Sequence, residues 1–286
     1  MLGFIMKYLV FFILLFPGVV HADILFQDPT GKSLNVAIKS LSKEEVKGWS
    51  SLASRREEFF LGLFYIRGAP EFSIQKDCKK SIGFLQSAWD GGVADAGYTL
   101  ATMYYNGICT SKDVSKARDL ATQTAQEGYI LAQRMLGMAY VGKKWQGLYP
   151  YDVEKGICWL AKAGSAGDRE SAAQLALMYN RGVGVVKDEK KYFSWLKRAI
   201  FNKFEKGNRL GFPALAESYE SGKGTEKDLV KAYKYFDLSG TAGVKGKKRI
   251  AKEMTQEQID EALRQSKEWQ KEHNVQVGGG FIRRAN

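Results

Sequence analysis

The sequence predicts an all-α protein in which five helix-turn-helix units stack as an α/α solenoid between N- and C-terminal cap helices. Three recurrences predict it. Asp-x-x-Lys occurs as DCKK at Asp77, DVSK at Asp113, DVEK at Asp152, DEKK at Asp188 and DLVK at Asp228, at steps of 36, 39, 36 and 40 residues. Upstream of every aspartate lies Leu-small-x-x-Tyr, starting at Leu61, Leu100, Leu136, Leu175 and Leu215. Glycines follow both motifs at nearly fixed offsets. A lone helical hairpin leaves a face of each helix wet, and a period of this length is how a chain supplies the neighbour that covers it.

In chain order, residues 1–22 carry one charge, Lys7, then the apolar run Tyr8–Phe16 and the small-residue exit PGVVHA, the pattern of a signal peptide cleaved before Asp23. The run is about half of the ~20 apolar residues needed to cross a bilayer, and Pro17 and Gly18 end it, so no stable membrane span is expected after cleavage. Met6 followed by Lys7 offers a second start, and the sequence leaves Met1 and Met6 open. Residues 23–56 are an N-terminal segment in which Ser42 and Glu45 fit a capping box ahead of VKGW, predicting a cap helix.

The units occupy residues 57–245. Each first helix carries Leu-small-x-x-Tyr and ends at a glycine three residues on, at Gly68, Gly107, Gly182 and Gly222, or one place earlier at Gly142. Each aspartate then caps a second helix, accepting the unpaired amide hydrogens of its first turn. Four residues past the lysine stands a large apolar residue, Phe84, Leu120, Trp159, Trp195 or Tyr235, and eight past it a small one, Ala88, Ala163, Ala199 or Ser239, with Thr124 in the second unit. That spacing is one buried helical face. Glycines twelve past the lysine, Gly92, Gly128, Gly167 and Gly243, close the second helix, with a delay to Gly207 in the fourth unit. The small residue after each leucine, Gly62, Ala101, Gly137, Ala176 or Ala216, lets the paired helix approach closely. Residues 246–274 form the C-terminal cap helix, with Thr255 and Gln258 as its capping box and Ile259, Ala262, Leu263, Ser266 and Trp269 or Gln270 on one face. The basic, glycine-rich tail, residues 275–286, is expected to be mobile.

The series Leu-Gly-x-x-Tyr, x-x-Gly-x-Gly, Asp-x-x-Lys-Ala, aromatic, Ala, Gly resembles the Sel-one-like repeat, a relative of the tetratricopeptide repeat. The resemblance implies a right-handed solenoid that holds a protein partner on its concave face without catalysing anything. Departures occur at Glu57, Ser81 and Tyr192, where the family places small residues, and at the untimed glycine of the fourth unit. They weaken the expectation of regular packing at the first unit and between the fourth and fifth.

Catalysis and cofactors have little support. The chain past residue 22 holds one histidine, His273, expected to be solvated near a helix end, and no carboxylate pair or metal-ligand spacing stands out. GVGVV at Gly182 and GKGT at Gly222 echo phosphate loops but occupy the turn slot of the repeat. Loss of residues 1–22 removes Lys7 and no acid, taking the formal charge from +12 to +11. Such a balance favours acidic partners or anionic surfaces, and lysines spread along the whole chain are also what solvated helix faces carry. Lysines and aromatics interleave in DEKKYFSWLKRAIFNKFEKGNR, but helical phasing puts Trp195 and Ala199 inside, and export argues against nucleic acid.

Three cysteines in an exported chain allow one bridge. Stacking brings Cys78 and Cys109 near each other, leaving Cys158 buried and unpaired; three thiols is the rival reading. The partner slots implied by the tetratricopeptide resemblance hold Tyr98, Thr102, Tyr105 and Asn106 in unit two, Arg134 and Met138 in unit three, Asn180 and Arg181 in unit four, and Glu217 and Glu220 in unit five. Unit one adds Phe59, Ile66 and Arg67. These residues either line a binding groove or pack between units. Trp145, Tyr149 and Tyr151, in the turn GKKWQGLYPYD, either form a second binding surface or cover a neighbouring helix. The expected function is an exported, periplasmic or secreted, non-catalytic scaffold or adaptor for an acidic protein partner. The alternatives are a periplasmic immunity protein neutralising a toxin, which the family resemblance allows, and an enzyme or binder directed at cell-wall material.

Overall fold

The computed structural model describes residues 23–49, 53–206, 209–278 and 281–284; the expected signal peptide lies outside them. The units are α3 (Arg55–Arg67) with α4 (Cys78–Asp90), α5 (Ala94–Asn106) with α6 (Val114–Gln126), α7 (Ile130–Tyr140) with α8 (Val153–Ser165), α9 (Arg169–Arg181) with α10 (Glu189–Ile200), and α11 (Phe212–Ser221) with α12 (Leu229–Leu238). Each helix packs on its hairpin partner and on the next element along the chain, which makes the predicted all-α solenoid.

Local chemistry explains the repeat. All five aspartates are N-caps, their carboxylates accepting the backbone N–H three residues on at 2.8 to 3.0 Å. Every one of them also donates its own N–H to the carbonyl of the upstream tyrosine, Tyr65, Tyr104, Tyr140, Tyr179 or Tyr219, at 2.8 to 3.0 Å. The motif lysine then lies 4.3 to 5.9 Å from the centre of that same tyrosine ring. Tyrosine, aspartate and lysine therefore form a clasp across the turn of each hairpin. Sequence spacing had revealed the cap but not the clasp. The glycines closing the first helices, 68, 107, 142, 182 and 222, all have positive φ.

Burial follows the predicted faces with a shift. Leu85, Leu160, Leu196 and Phe236 form the core one residue after Phe84, Trp159, Trp195 and Tyr235, which are half-buried; in unit two both Leu120 and Ala121 are buried. Gly137 shows why the small positions matter, since a Cβ there would sit 2.7 Å from Leu160 Cγ and 2.9 Å from the Leu160 backbone nitrogen. We expect Gly137→Ala to cost about 1 to 3 kcal/mol by overpacking, read as a lower urea midpoint at unchanged slope.

At the departures, Glu57 completes a capping box with Ser54, and Ser81 donates its hydroxyl to the Gly62 carbonyl at 2.9 Å. Tyr192 is buried in the alanine slot. Between the fourth and fifth units α10 and α11 touch less than α4–α5, α6–α7 or α8–α9, and the junction is made instead by side chains of one cluster, Phe193, Leu196 and Ile200 against Phe212 and Leu215. Gly243 does not end α12; that helix stops at Leu238, and Gly243 has negative φ and lies where a Cβ would fall 1.7 Å from the Phe236 carbonyl oxygen. The delayed Gly207 lies outside the described residues.

At the ends, α1 (Lys32–Lys39) and α2 (Lys43–Gly48) precede unit one, α2 with the expected Ser42–Glu45 box. The short α13 (Val244–Ile250) leads into the cap helix α14 (Gln256–Glu272), whose Thr255–Gln258 box forms and whose Ala262, Ser266 and Trp269 are buried. The tail is not shapeless. Val275–Gly278 (β1) and Phe281–Arg284 (β2) pair antiparallel, and the Val277 N–H donates to Gln270 Oε1 at 2.6 Å. Cys78 and Cys109 are joined by a disulfide that ties unit one to unit two. Cys158 is unpaired but exposed, not buried, because the buried stripe of α8 runs through Leu160 instead. His273 is half-buried and stacked on Trp269 at 4.1 Å, with Nδ1 2.9 Å from the Trp269 carbonyl oxygen, rather than solvated.

Candidate partner-binding surface

The candidate residues sit on the first helices, α5, α7, α9 and α11, and the structure divides them by what they already touch. Met138 and Phe59 are core residues, 3% and 2% exposed, and are unavailable to a partner. The slot two past the leucine fixes a place on the helix, but at Met138 the next unit covers it, through Leu175 and Met178. Asn180 accepts from Lys223 Nζ at 2.6 Å, and Glu220 takes the Arg249 guanidinium through two bonds of 2.6 and 2.7 Å. Thr102 bonds the Thr99 carbonyl within its own helix.

Tyr98 and Arg134 belong to a polar chain running across three units. The Tyr98 ring lies tilted against Tyr129 at 5.5 Å, and its hydroxyl is pushed up by burial, an effect the hydrogen-bonded Arg134 opposes. Arg134 Nη1 donates to Asp168 at 2.9 Å and lies 3.3 Å from Glu170, which Lys144 also contacts. Asp168 is 2% exposed and caps α9, accepting from the Ser171 N–H and hydroxyl. The sequence signal for Asp168 was available, since Asp-x-x-Ser precedes an apolar helical pattern there.

On the other side of Tyr129 lies Asp95, 1% exposed, which sequence reasoning missed. It accepts the N–H groups of Leu25 at 2.8 Å and Phe26 at 3.2 Å, while Asp23 forms a parallel bridge with Val93. The segment after the expected cleavage site is thus fastened to the start of α5. Burial pushes the Asp95 carboxyl up to about 6, against the opposing pull of its bonds from Leu25, Tyr129 and Phe26. Folded protein therefore binds this proton more tightly than the unfolded chain, whose value is near 3.8. The stability Asp95 contributes is present below about pH 4 and declines as pH rises through about 6. We expect Asp95→Asn to remove that slope, so that its stability relative to wild type improves from pH 4 to pH 7 in urea titrations.

The turn with Trp145, Tyr149 and Tyr151 folds back over its neighbours. Tyr149 stacks on Tyr140 at 4.5 Å and bonds Thr122 at 2.6 Å on α6, its hydroxyl pushed up to about 12 by burial. Arg118 donates to the Leu148 carbonyl at 2.6 Å, and Tyr105 to that of Gln146 at 3.0 Å. Trp145 is half-buried, and Tyr151 alone of the three is exposed. Most of this loop covers a helix.

What stays exposed is a slot six residues past the leucine, occupied by Arg67, Asn106 and Arg181 in units one, two and four, together with Glu217 in unit five. Arg67 and Arg181 make no ion pair among the described residues. No group of three or more His, Cys, Asp or Glu placed to hold a metal occurs among the described residues, and no helix among them is long and apolar enough to cross a membrane.

The Sel1 repeat family model matches residues 58–93, 94–129, 130–168, 169–200 and 208–244. Among solved structures the chain is similar to a Sel1 repeat protein from Oxalobacter formigenes, at 21% identity and a TM-score of 0.57 over 84% of this chain and 98% of that one. It is also similar to an immunity protein from Pseudomonas aeruginosa, at 18% identity and a TM-score of 0.43 over 74% of this chain and 81% of that one. The first of these likenesses shows a shared fold.

Proposed function

The chain belongs to the Sel1 repeat family, and from that premise we propose that it is an exported, non-catalytic scaffold that binds an acidic protein partner along the face of its first helices. The observation that carries this reading is the exposed slot repeated at Arg67, Asn106 and Arg181, the same place on the first helix in three of the five units. Arginine is among the residues that most often anchor interfaces, and a repeated slot offers several weak contacts to one extended partner. The positive balance of the chain supports an acidic partner, and the apolar run before Asp23 and the Cys78–Cys109 disulfide support export.

The test is capture from the native compartment with the full chain and with a triple variant, Arg67→Ala, Asn106→Ala and Arg181→Ala. One stoichiometric protein retained by wild type and lost by the variant is the expected result. Equal retention by both would place the interface elsewhere. The same experiment separates the alternatives: a toxin as the retained protein makes the chain an immunity protein, and sedimentation with peptidoglycan in the absence of protein makes it a cell-wall binder.

A further inference from the structure

Inside the stack, the residue four past the motif lysine can reach the preceding unit, as in unit four, where Trp195 comes within 3.1 Å of where a Cβ on Gly164 of unit three would stand. Unit one has no preceding hairpin. Its Phe84 instead lines an open-sided cavity of about 690 Å3 between α2, α3, α4 and the turn at Pro70–Phe72. Tyr65 stacks on Phe84 at 5.8 Å to make one wall, and Phe72 stands on another. Three lysines, Lys43, Lys47 and Lys80, border the same space. None of the three forms an ion pair among the described residues, and none of the ten lining residues is acidic. Three of the other four motif lysines, Lys155, Lys191 and Lys231, meet their own aspartate at 2.9 to 3.8 Å. Among the described residues Lys80 makes no such pair and keeps only the ring contact that all five share, 5.3 Å from the centre of Tyr65, beside the cavity.

We propose that this cavity binds a small aromatic carboxylate, its ring against Tyr65, Phe72 and Phe84 and its carboxylate among the three lysines. The volume falls within the range of small-molecule sites, ~300 to 1,000 Å3, and an apolar lining with a few convergent polar groups of one sign is the form such sites take. Charge-assisted bonds supply the preference for an anion, and the aromatic walls supply the preference for a flat apolar body. The site is separate from the first-helix face and stands or falls independently of it.

Isothermal titration of the full chain with 2-naphthoate and with its neutral analogue, 2-naphthamide, tests the assignment. We expect saturable one-to-one binding of the acid, with the amide at least about tenfold weaker. Lys43→Glu with Lys47→Glu should weaken the acid by about tenfold or more, whereas Lys245→Glu with Lys248→Glu, which makes the same change in net charge on α13, should stay within about twofold. Both pairs are solvent-exposed, so thermal melts should coincide with wild type. Failure to saturate, equal affinity for acid and amide, or equal loss in both double variants would each overturn the proposal.

Discussion

Replacing Cys78 and Cys109 together by serine should lower the stability of the oxidised protein by about 3 to 4 kcal/mol, because their link closes a loop across a sequence separation of 31 residues and removes that much chain entropy from the unfolded state. The bridge joins the first residue of α4 to the turn that follows α5, so it holds two consecutive units rather than the two arms of one. In a stack where each unit contacts only its neighbours, loss of that tie weakens one junction and leaves the others intact. Urea unfolding with and without reductant checks the expectation. Reduced wild type should match the double variant, and Cys158→Ser should match wild type, since that side chain is exposed and unpaired. A loss below about 1 kcal/mol on reduction would show that the reduced, unfolded chain keeps the two segments together without the bond.

The second large effect is expected at Arg134. Substitution by methionine keeps the stem but leaves the Asp168 carboxylate, 2% exposed, with only the Ser171 N–H and hydroxyl as donors. Breaking a buried pair from one side costs about 3 to 5 kcal/mol, since the partner charge stays out of water. The lower end applies, because Arg134 itself is 18% exposed at its side chain and water can reach the vacated space. Adding Asp168→Asn to Arg134→Met should recover part of the loss, giving a coupling of at least about 1 kcal/mol in a double-mutant cycle. Additive effects would mean that the pair contributes little beyond its separate packing. A binding assay alone would misread Arg134→Met, because a partner lost through this variant would be lost by loosening units three and four, not by removing a contact.

Much of the fold was legible because it is written in short-range chemistry. An aspartate that caps a helix, a glycine that adopts positive φ and a capping box at Thr255 each act within three or four residues, so spacing alone exposes them. Their fivefold recurrence then implies the stack. The candidate surface was less legible, because whether a slot is exposed depends on the neighbouring unit. Phe59 and Met138 fill the same kinds of helical position as exposed residues elsewhere, and only the packing of adjacent helices buries them. Cys158 was misplaced by a single step of helical phase, the buried stripe passing through Leu160. Apart from the Cys78–Cys109 bridge, long-range partners left no mark. Asp95 and Leu25 are 70 residues apart, and nothing in VADAG announces that its carboxylate will hold the backbone of the N-terminal segment. The same is true of the three lysines that meet around the cavity from α2 and α4.

The seam between units four and five is built differently from the others, since α10 and α11 touch little and the joint is made by rings, Phe193 on Tyr219 at 5.3 Å and Phe201 on Phe212 at 6.1 Å. Phe193, Phe212 and Trp269 of the cap helix belong to one continuous cluster, so the last hairpin and its cap are keyed to unit four through side chains rather than through helix backbones. Phe212 touches both Phe201 and Trp269, and truncating it would therefore loosen the joint and the cap together.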